Sequence, residues 1–169
     1  AAFRSAVEDL RPALDNDGRL AEVLRRHPVV LGFHLSTGAV ATTSGALPPA
    51  LPIGAAELAQ ATGLTDWPGY GANLPLLQQA AAGGGFLGAP VDPDGVVRRG
   101  WLLARHVGQV HGALPLVMAQ LLLGGPALRL HFAERLSWQS TSPSLVAIEL
   151  SSTRGSRLIE VDRQGAVLL

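Results

Sequence analysis

The sequence predicts a mixed α/β (α+β) fold: a single domain with one central mixed sheet, antiparallel hairpins and flanking helices. Three observations carry this expectation. An amphipathic segment, Arg19 to Arg26, runs into the continuous apolar stretch Val29 to Leu35, which suits a strand buried on both faces. A strong turn signal, Asp92-Pro93-Asp94-Gly95, stands between two strand-like segments. From Ala127 onward the chain reads as a succession of short strands, which makes the C-terminal half substantially antiparallel.

The elements follow in order. Ala2 to Leu10 reads as a helix. In Arg19 to Arg26, Leu20, Val23 and Leu24 recur at helical spacing, and Asp15, Asn16 or Asp17 can cap the start. Pro28 stops the helix ahead of Val29 to Leu35. Ser36 to Gly54 is rich in Gly, Pro, Ser and Thr and reads as a loop. Short helices are expected over Ala55 to Ala61 and over Leu74 to Ala82, the second capped by Asn73 with Pro75 in its first turn. Phe86 to Val91 and Val96 to His106 are expected to be strands closed into an antiparallel hairpin by Asp92 to Gly95, with Gly95 left-handed. Leu114 to Leu123 is a helix with Pro115 near its start. Ala127 to Phe132, Leu145 to Leu150 and Arg157 to Val161 are strands, and Asp162-Arg163-Gln164-Gly165 turns the chain into Ala166 to Leu169.

Composition removes several chemistries. With 13 basic and 13 acidic residues the net charge is zero, so the basic stripe of a nucleic-acid binder is not expected. All the basic residues are Arg, which excludes a Schiff-base lysine. The absence of cysteine excludes disulfides, thiolate nucleophiles and Cys-ligated metals. The longest apolar stretch, Ala113 to Leu123, is too short for a helix that spans a bilayer, which needs ~20 residues. The start lacks both Met and a signal-peptide pattern, and the end is apolar; a domain excised from a larger protein is expected.

Motif by motif, the bland reading is the better one. Gly83-Gly84-Gly85-Phe86-Leu87-Gly88 fits G-x-G-x-x-G but follows a helix and leads into a strand, the wrong context for a dinucleotide site. It reads instead as a helix C-cap and the start of a closely packed strand. Asp92-Pro93-Asp94-Gly95 resembles the opening of a calcium loop, yet the fifth and twelfth positions are Val96 and Leu103. His106 and His111, five apart, fall on opposite faces of a strand, and none of the five histidines shows metal spacing. No serine lies in a G-x-S-x-G elbow. Arg98 and Arg99, adjacent on the expected strand, point to opposite faces. A salt bridge to Asp92 or Asp94 that pins the hairpin is preferred over an anion-recognising guanidinium.

Four stretches in this order resemble the type-two CHASE family (cyclase/histidine-kinase-associated sensing extracellular). They are Asp17 to Ala21 leading to Pro28 to Phe33; Gly69 to Pro75 followed by Ala81 to Phe86; Asp92 to Arg99, similar to the family's D-x-D-G-x-x-R-R element; and Leu158 to Gly165, similar to its closing strand–turn–strand. Upstream of Asp15 the family's first strand unit is not matched, so the domain is expected to be truncated or divergent there. Pro115-Leu116 also departs from the family's Pro-Ser.

The resemblance implies a non-enzymatic extracytoplasmic sensor of a bacterial membrane receptor, on the periplasmic side and tethered by transmembrane helices beyond Leu169. A nucleotide cyclase, histidine kinase or serine/threonine kinase would be its cytoplasmic output. Residues expected at a ligand site are His34, Asn73, Asp92, Asp94, Arg98 and Arg99, with an unknown small-molecule or protein signal as partner. No cofactor, catalytic residue, metal or nucleic acid is expected. A homodimer is expected, because Val29 to Leu35 would lack a neighbouring strand. Two rival readings are a purely structural dimerisation module and a periplasmic hydrolase, the latter requiring a Ser or Asp within reach of a histidine in a cleft.

Overall fold

The computed structural model describes residues 14–37, 42–133, 143–153 and 155–169; the helix expected over Ala2 to Leu10 lies outside them. Asp15 is the cap of α1 (Asn16–Arg26). Its carboxylate accepts the Gly18 N–H at 2.8 Å, and Arg25 and Arg26 sit at the negative end of the helix dipole. Ala21 and Leu24 are its buried residues and form a small cluster with Ala80, joined by Leu31 and Leu77.

The apolar run after Pro28 becomes β1 (Val30–Ser36), one of the two interior strands of a four-stranded mixed sheet ordered β2-β3-β1-β4. β3 (Gly69–Gly71) lies antiparallel on one side, with His34 opposite Gly71, and β4 (Gly83–Leu87) lies parallel on the other, with Phe33 opposite Phe86. β2 (Thr43–Ser44) joins the outer edge of β3. Between these strands stand the short helices α2 (Ala55–Gln60) and α3 (Pro75–Ala80). Because β1 has a neighbour on both edges, it is not the open strand on which the expected dimer rests; among the described residues the edges of this sheet are β2 and β4.

The remaining strands form three small sheets. β5 (Arg99–Trp101) pairs antiparallel with the last strand, β11 (Ala166–Leu168). β6 (Leu103–His106) and β7 (Gln109–Gly112) make a tight hairpin. After α4 (Leu114–Leu122), the strands β8 (Ala127–Ala133), β9 (Ser144–Ser152) and β10 (Gly155–Glu160) form an antiparallel sheet ordered β10-β9-β8. Phe33, Phe86, Leu103, Leu116 and Ile148, each at most 3% exposed, belong to one core that joins the mixed sheet, the hairpin, α4 and the C-terminal sheet.

Four expectations need correction. Gly95 is left-handed, with φ +81°, and its N–H donates to the Asp92 carbonyl at 2.8 Å, but the turn does not close two antiparallel strands. One further bond, Asp92 N–H to the Val96 carbonyl, is the extent of the ladder; β4 turns to β1 and β5 to β11. Pro90 has no N–H to give such a ladder. Asn73 does not cap α3: Leu74 is the capping residue, and the Asn73 amide reaches instead to the Gly32 carbonyl at 3.0 Å. Arg98 lies outside any strand, and it and Arg99 converge on one carboxylate rather than pointing to opposite faces of a sheet. His106 and His111 share a face, because a turn at Val107-Gly108 separates them: Ala104 stands opposite His111 and His106 opposite Gln109.

The glycine run belongs to β4 itself. A Cβ on Gly85 would lie 2.5 Å from Leu114 Cα and 2.6 Å from Leu114 N, so only glycine lets the start of α4 rest on this strand.

Candidate functional site

Two turns of the same build face each other near the C-terminal strand. In the first, Asp92 accepts from Gly95 N–H at 2.8 Å and donates its own N–H to Val96 at 3.0 Å. In the second, Asp162 accepts from Gly165 N–H at 2.9 Å and donates to Ala166 at 2.9 Å. Gly95 and Gly165 have φ of +81° and +76°, the left-handed conformation that glycine adopts without steric cost. The second turn is further fixed by the Asp162 carboxylate, which accepts the N–H groups of Gln164 and Ala166 at 2.9 Å each.

Arg99 ties the two turns together. Its Nη2 donates to Asp92 Oδ1 at 3.0 Å, and its Nη1 reaches Asp162 Oδ2 at 3.5 Å. Arg98 closes the near side: Nη1 donates to Asp92 Oδ2 at 3.0 Å, and the guanidinium grips Asp94 in a fork at 2.7 and 3.0 Å. Of the residues expected from sequence, Asp92, Asp94, Arg98 and Arg99 are therefore brought together. Asp162, the fifth member, was read only as a turn residue; its place is set by the β5–β11 pairing, which no local pattern reveals.

Asn73 and His34 belong to the mixed sheet instead. Asn73 joins Gly32 of β1 to Gln78 of α3, its Nδ2 lying 3.4 Å from Gln78 Oε1. The exposed His34 ring lies over Gly71, where a Cβ would come within 2.1 Å of it. A shallow groove bordered by Arg99, Ile159, Asp162 and Leu168 opens beside the ion cluster, and a second runs past Pro48, Gln78 and Gln109.

A family model of the CHASE2 domain matches residues 3–169. The chain belongs to the CHASE2 domain family. Members of this family are extracellular sensory domains of signalling receptors, not catalytic domains. Comparison with curated proteins and with solved structures gave no match.

In this CHASE2 domain the ion cluster sets the local electrostatics. The Arg98 guanidinium, and then that of Arg99, hold the Asp92 carboxyl below the usual carboxylate range; Arg98 and the Val96 N–H do the same for Asp94. Reciprocally, Asp94 and Asp92 raise Arg98, and Asp92 raises Arg99. Both guanidiniums are half-exposed, so each pair is screened and modest in strength; the cluster's value is geometric, fixing one turn against the other.

A second polar group lies on the C-terminal sheet of the CHASE2 domain. Glu149 accepts from Ser156, His131 and Ser151, which together hold it down to about 2. His131 Nε2 lies 2.7 Å from Glu149 Oε2, and Ser151 Oγ donates to Oε1 at 2.9 Å. The order is serine to glutamate to histidine, so in this group neither serine has the imidazole as its base. It is a hydrogen-bonded staple between β8, β9 and β10, and not the arrangement a hydrolase needs.

Proposed function

We propose that this CHASE2 domain is the signal-input domain of a bacterial transmembrane receptor. It stands on the periplasmic side of the inner membrane, held by helices outside the 169 residues, and it controls a cytoplasmic cyclase or kinase without itself catalysing a reaction. The observation that carries the reading is the family match over residues 3–169. The placement of the ion cluster supports it. Arg99 is opposite Leu168 in the β5–β11 ladder, and the Leu169 N–H donates to the Arg98 carbonyl at 2.9 Å, so whatever moves the Asp92-to-Arg99 segment moves the last strand.

A small-molecule or protein signal acts by binding two conformations with unequal affinity. An acidic ligand group entering the groove beside Arg99 would compete with Asp92 and Asp162, loosening one turn from the other. The test of topology uses the absence of cysteine from this domain. A single cysteine at Leu158, 61% exposed on β10, is introduced into the full-length receptor, and intact cells are treated with a membrane-impermeant maleimide. Labelling above that of the unmodified receptor before lysis is the expected result. Labelling only after lysis refutes the reading.

A further inference from the structure

The β6–β7 hairpin meets the mixed sheet through two imidazoles. His111 is 2% exposed and stands edge-on to Phe33 of β1, with ring centroids 6.0 Å apart at 82°. His106, 8% exposed, stands edge-on to Tyr70 of β3 at 5.1 Å and 83°. Leu35 faces Tyr70 across the β1–β3 ladder, so Phe33, Leu35 and Tyr70 present one face of the sheet to the two rings. His106 Nδ1 lies 2.7 Å from the Trp67 carbonyl. Among the described residues neither nitrogen of His111 has a hydrogen-bond partner, although both are buried.

We propose that this histidine pair is an acid-sensitive clasp: it holds the β6–β7 hairpin on the mixed sheet while His111 is neutral, and releases it when His111 takes up a proton.

The surroundings of His111 favour the neutral ring. β4 (Gly83–Leu87) and α4 (Leu114–Leu122) carry no ionisable side chain, nor do residues 46–54, where Leu51 hydrogen-bonds to the Val110 carbonyl. β1 contributes Phe33, its own His34 being of the opposite parity, and β3 contributes Tyr70. Within the hairpin, Arg105 belongs to the other face, where the Ala61 carbonyl and Asp66 receive it. The ionisable group that acts on His111 is thus His106, a second potential cation. Burial first, and then His106, push His111 below the usual imidazole range.

A charged ring left in this place has no carboxylate to pair with among the described residues, and an unpaired buried charge is very costly. Opening the hairpin returns the ring to water and to an ordinary affinity for protons. Because the open form binds the proton more tightly, the closed form is fully favoured above the ordinary imidazole pKa of about 6.5 and loses ground as pH falls below it.

The turn of the hairpin is strained. Its two turn residues, Val107 and Gly108, have φ of +47° and +74°, and a β-branched residue is strained in that region. The inference goes beyond the receptor reading and is independent of it, since it concerns a conformational change within this chain and uses no membrane or output module.

Amide hydrogen exchange of the 169-residue chain, normalised for the intrinsic pH dependence, tests it. Between about pH 7.5 and about pH 5, the 103–113 amides should lose protection by about tenfold while β8 and β9 keep theirs. His111→Phe should abolish the change, and His27→Gln, which replaces an exposed histidine beyond α1, should leave it. Unchanged protection in the parent chain overturns the proposal, as does an opening that survives His111→Phe or is lost in His27→Gln. If His111→Phe does not fold, the NMR titration of the parent chain decides. Titration of the His111 ring together with shifts across 103–113 supports the clasp, and titration without them overturns it.

Discussion

Gly85→Ala should be among the more damaging single-methyl additions to this domain. Gly85 stands opposite Gly32 in the parallel β1–β4 pair, and α4 rests on it end-on. A methyl there would meet Leu114 Cα at 2.5 Å, Leu114 N at 2.6 Å and the Ala113 carbonyl carbon at 2.9 Å. Carbon atoms pack comfortably at about 3.5–4.0 Å, so the helix start must retreat by about 1 Å. The obstacle is backbone, which cannot rotate aside, and the retreat also draws Leu116, 2% exposed, out of the core. Overpacking typically costs ~1–3 kcal/mol, and the top of that range, about 3 kcal/mol, applies here. For a chain of this size the melting temperature should drop by roughly 6–12 °C. Gly88→Ala is the control: its nearest new contact is a Trp101 ring carbon at 3.5 Å, an ordinary distance, and it should change stability by less than about 0.5 kcal/mol. Urea unfolding followed by circular dichroism, with the slope unchanged, measures both. Equal losses in the two variants, or a Gly85→Ala loss under about 1 kcal/mol, would refute the packing argument.

The other predictions concern a strained turn and a depressed carboxylate. Val107→Asn should stabilise the chain by about 1 kcal/mol in the same urea assay, because asparagine accepts the φ of +47° that strains valine, and Val107 is 84% exposed with little packing to lose; a destabilised variant would contradict this. Glu149 is held at about 2 against an ordinary 4.5, so its contribution to stability is fully present above 4.5 and is lost as pH falls through about 2. Glu149→Gln should therefore be less stable than the parent chain at neutral pH, and the gap should narrow as the unfolding midpoint is followed downward through that window; a gap constant with pH would argue against the staple.

Local chemistry was readable where a segment's own residues decide its state. Asp15 announces a capped helix, although of the apolar set Leu20, Val23 and Leu24 only Leu24 is buried, and Pro93 with Gly95 announces a turn, because cap and turn geometry are satisfied within a few residues. The short strands β2, β3 and β7 are not visible in the sequence: Thr43-Ser44, Gly69-Tyr70-Gly71 and Gln109 to Gly112 carry no period, and they are strands because β3, β1 and β6, respectively, supply their partners. Asn73 has the chemistry of a cap, yet Leu74 takes the cap position and the Asn73 amide donates to a carbonyl on β1 instead. In the ion cluster, Asp92, Asp94, Arg98 and Arg99 are close in sequence and were legible as a group. Asp162 arrives from the far end of the chain, through a ladder that exists only once the sheet has formed.

That ladder has a consequence for the order in which the domain folds. β5 pairs with β11, so Arg99, Gly100 and Trp101 wait for Leu168, Val167 and Ala166 to be synthesised. Contacts this distant in sequence close late, since the loop between them must be ordered first. Until the last residues are delivered, the chain carries β5 without its mate, and an unmated strand invites pairing with a neighbouring chain. Delivery of Ala166 to Leu168 ends that exposure, which makes the C-terminal end of the domain the timer for its safe completion.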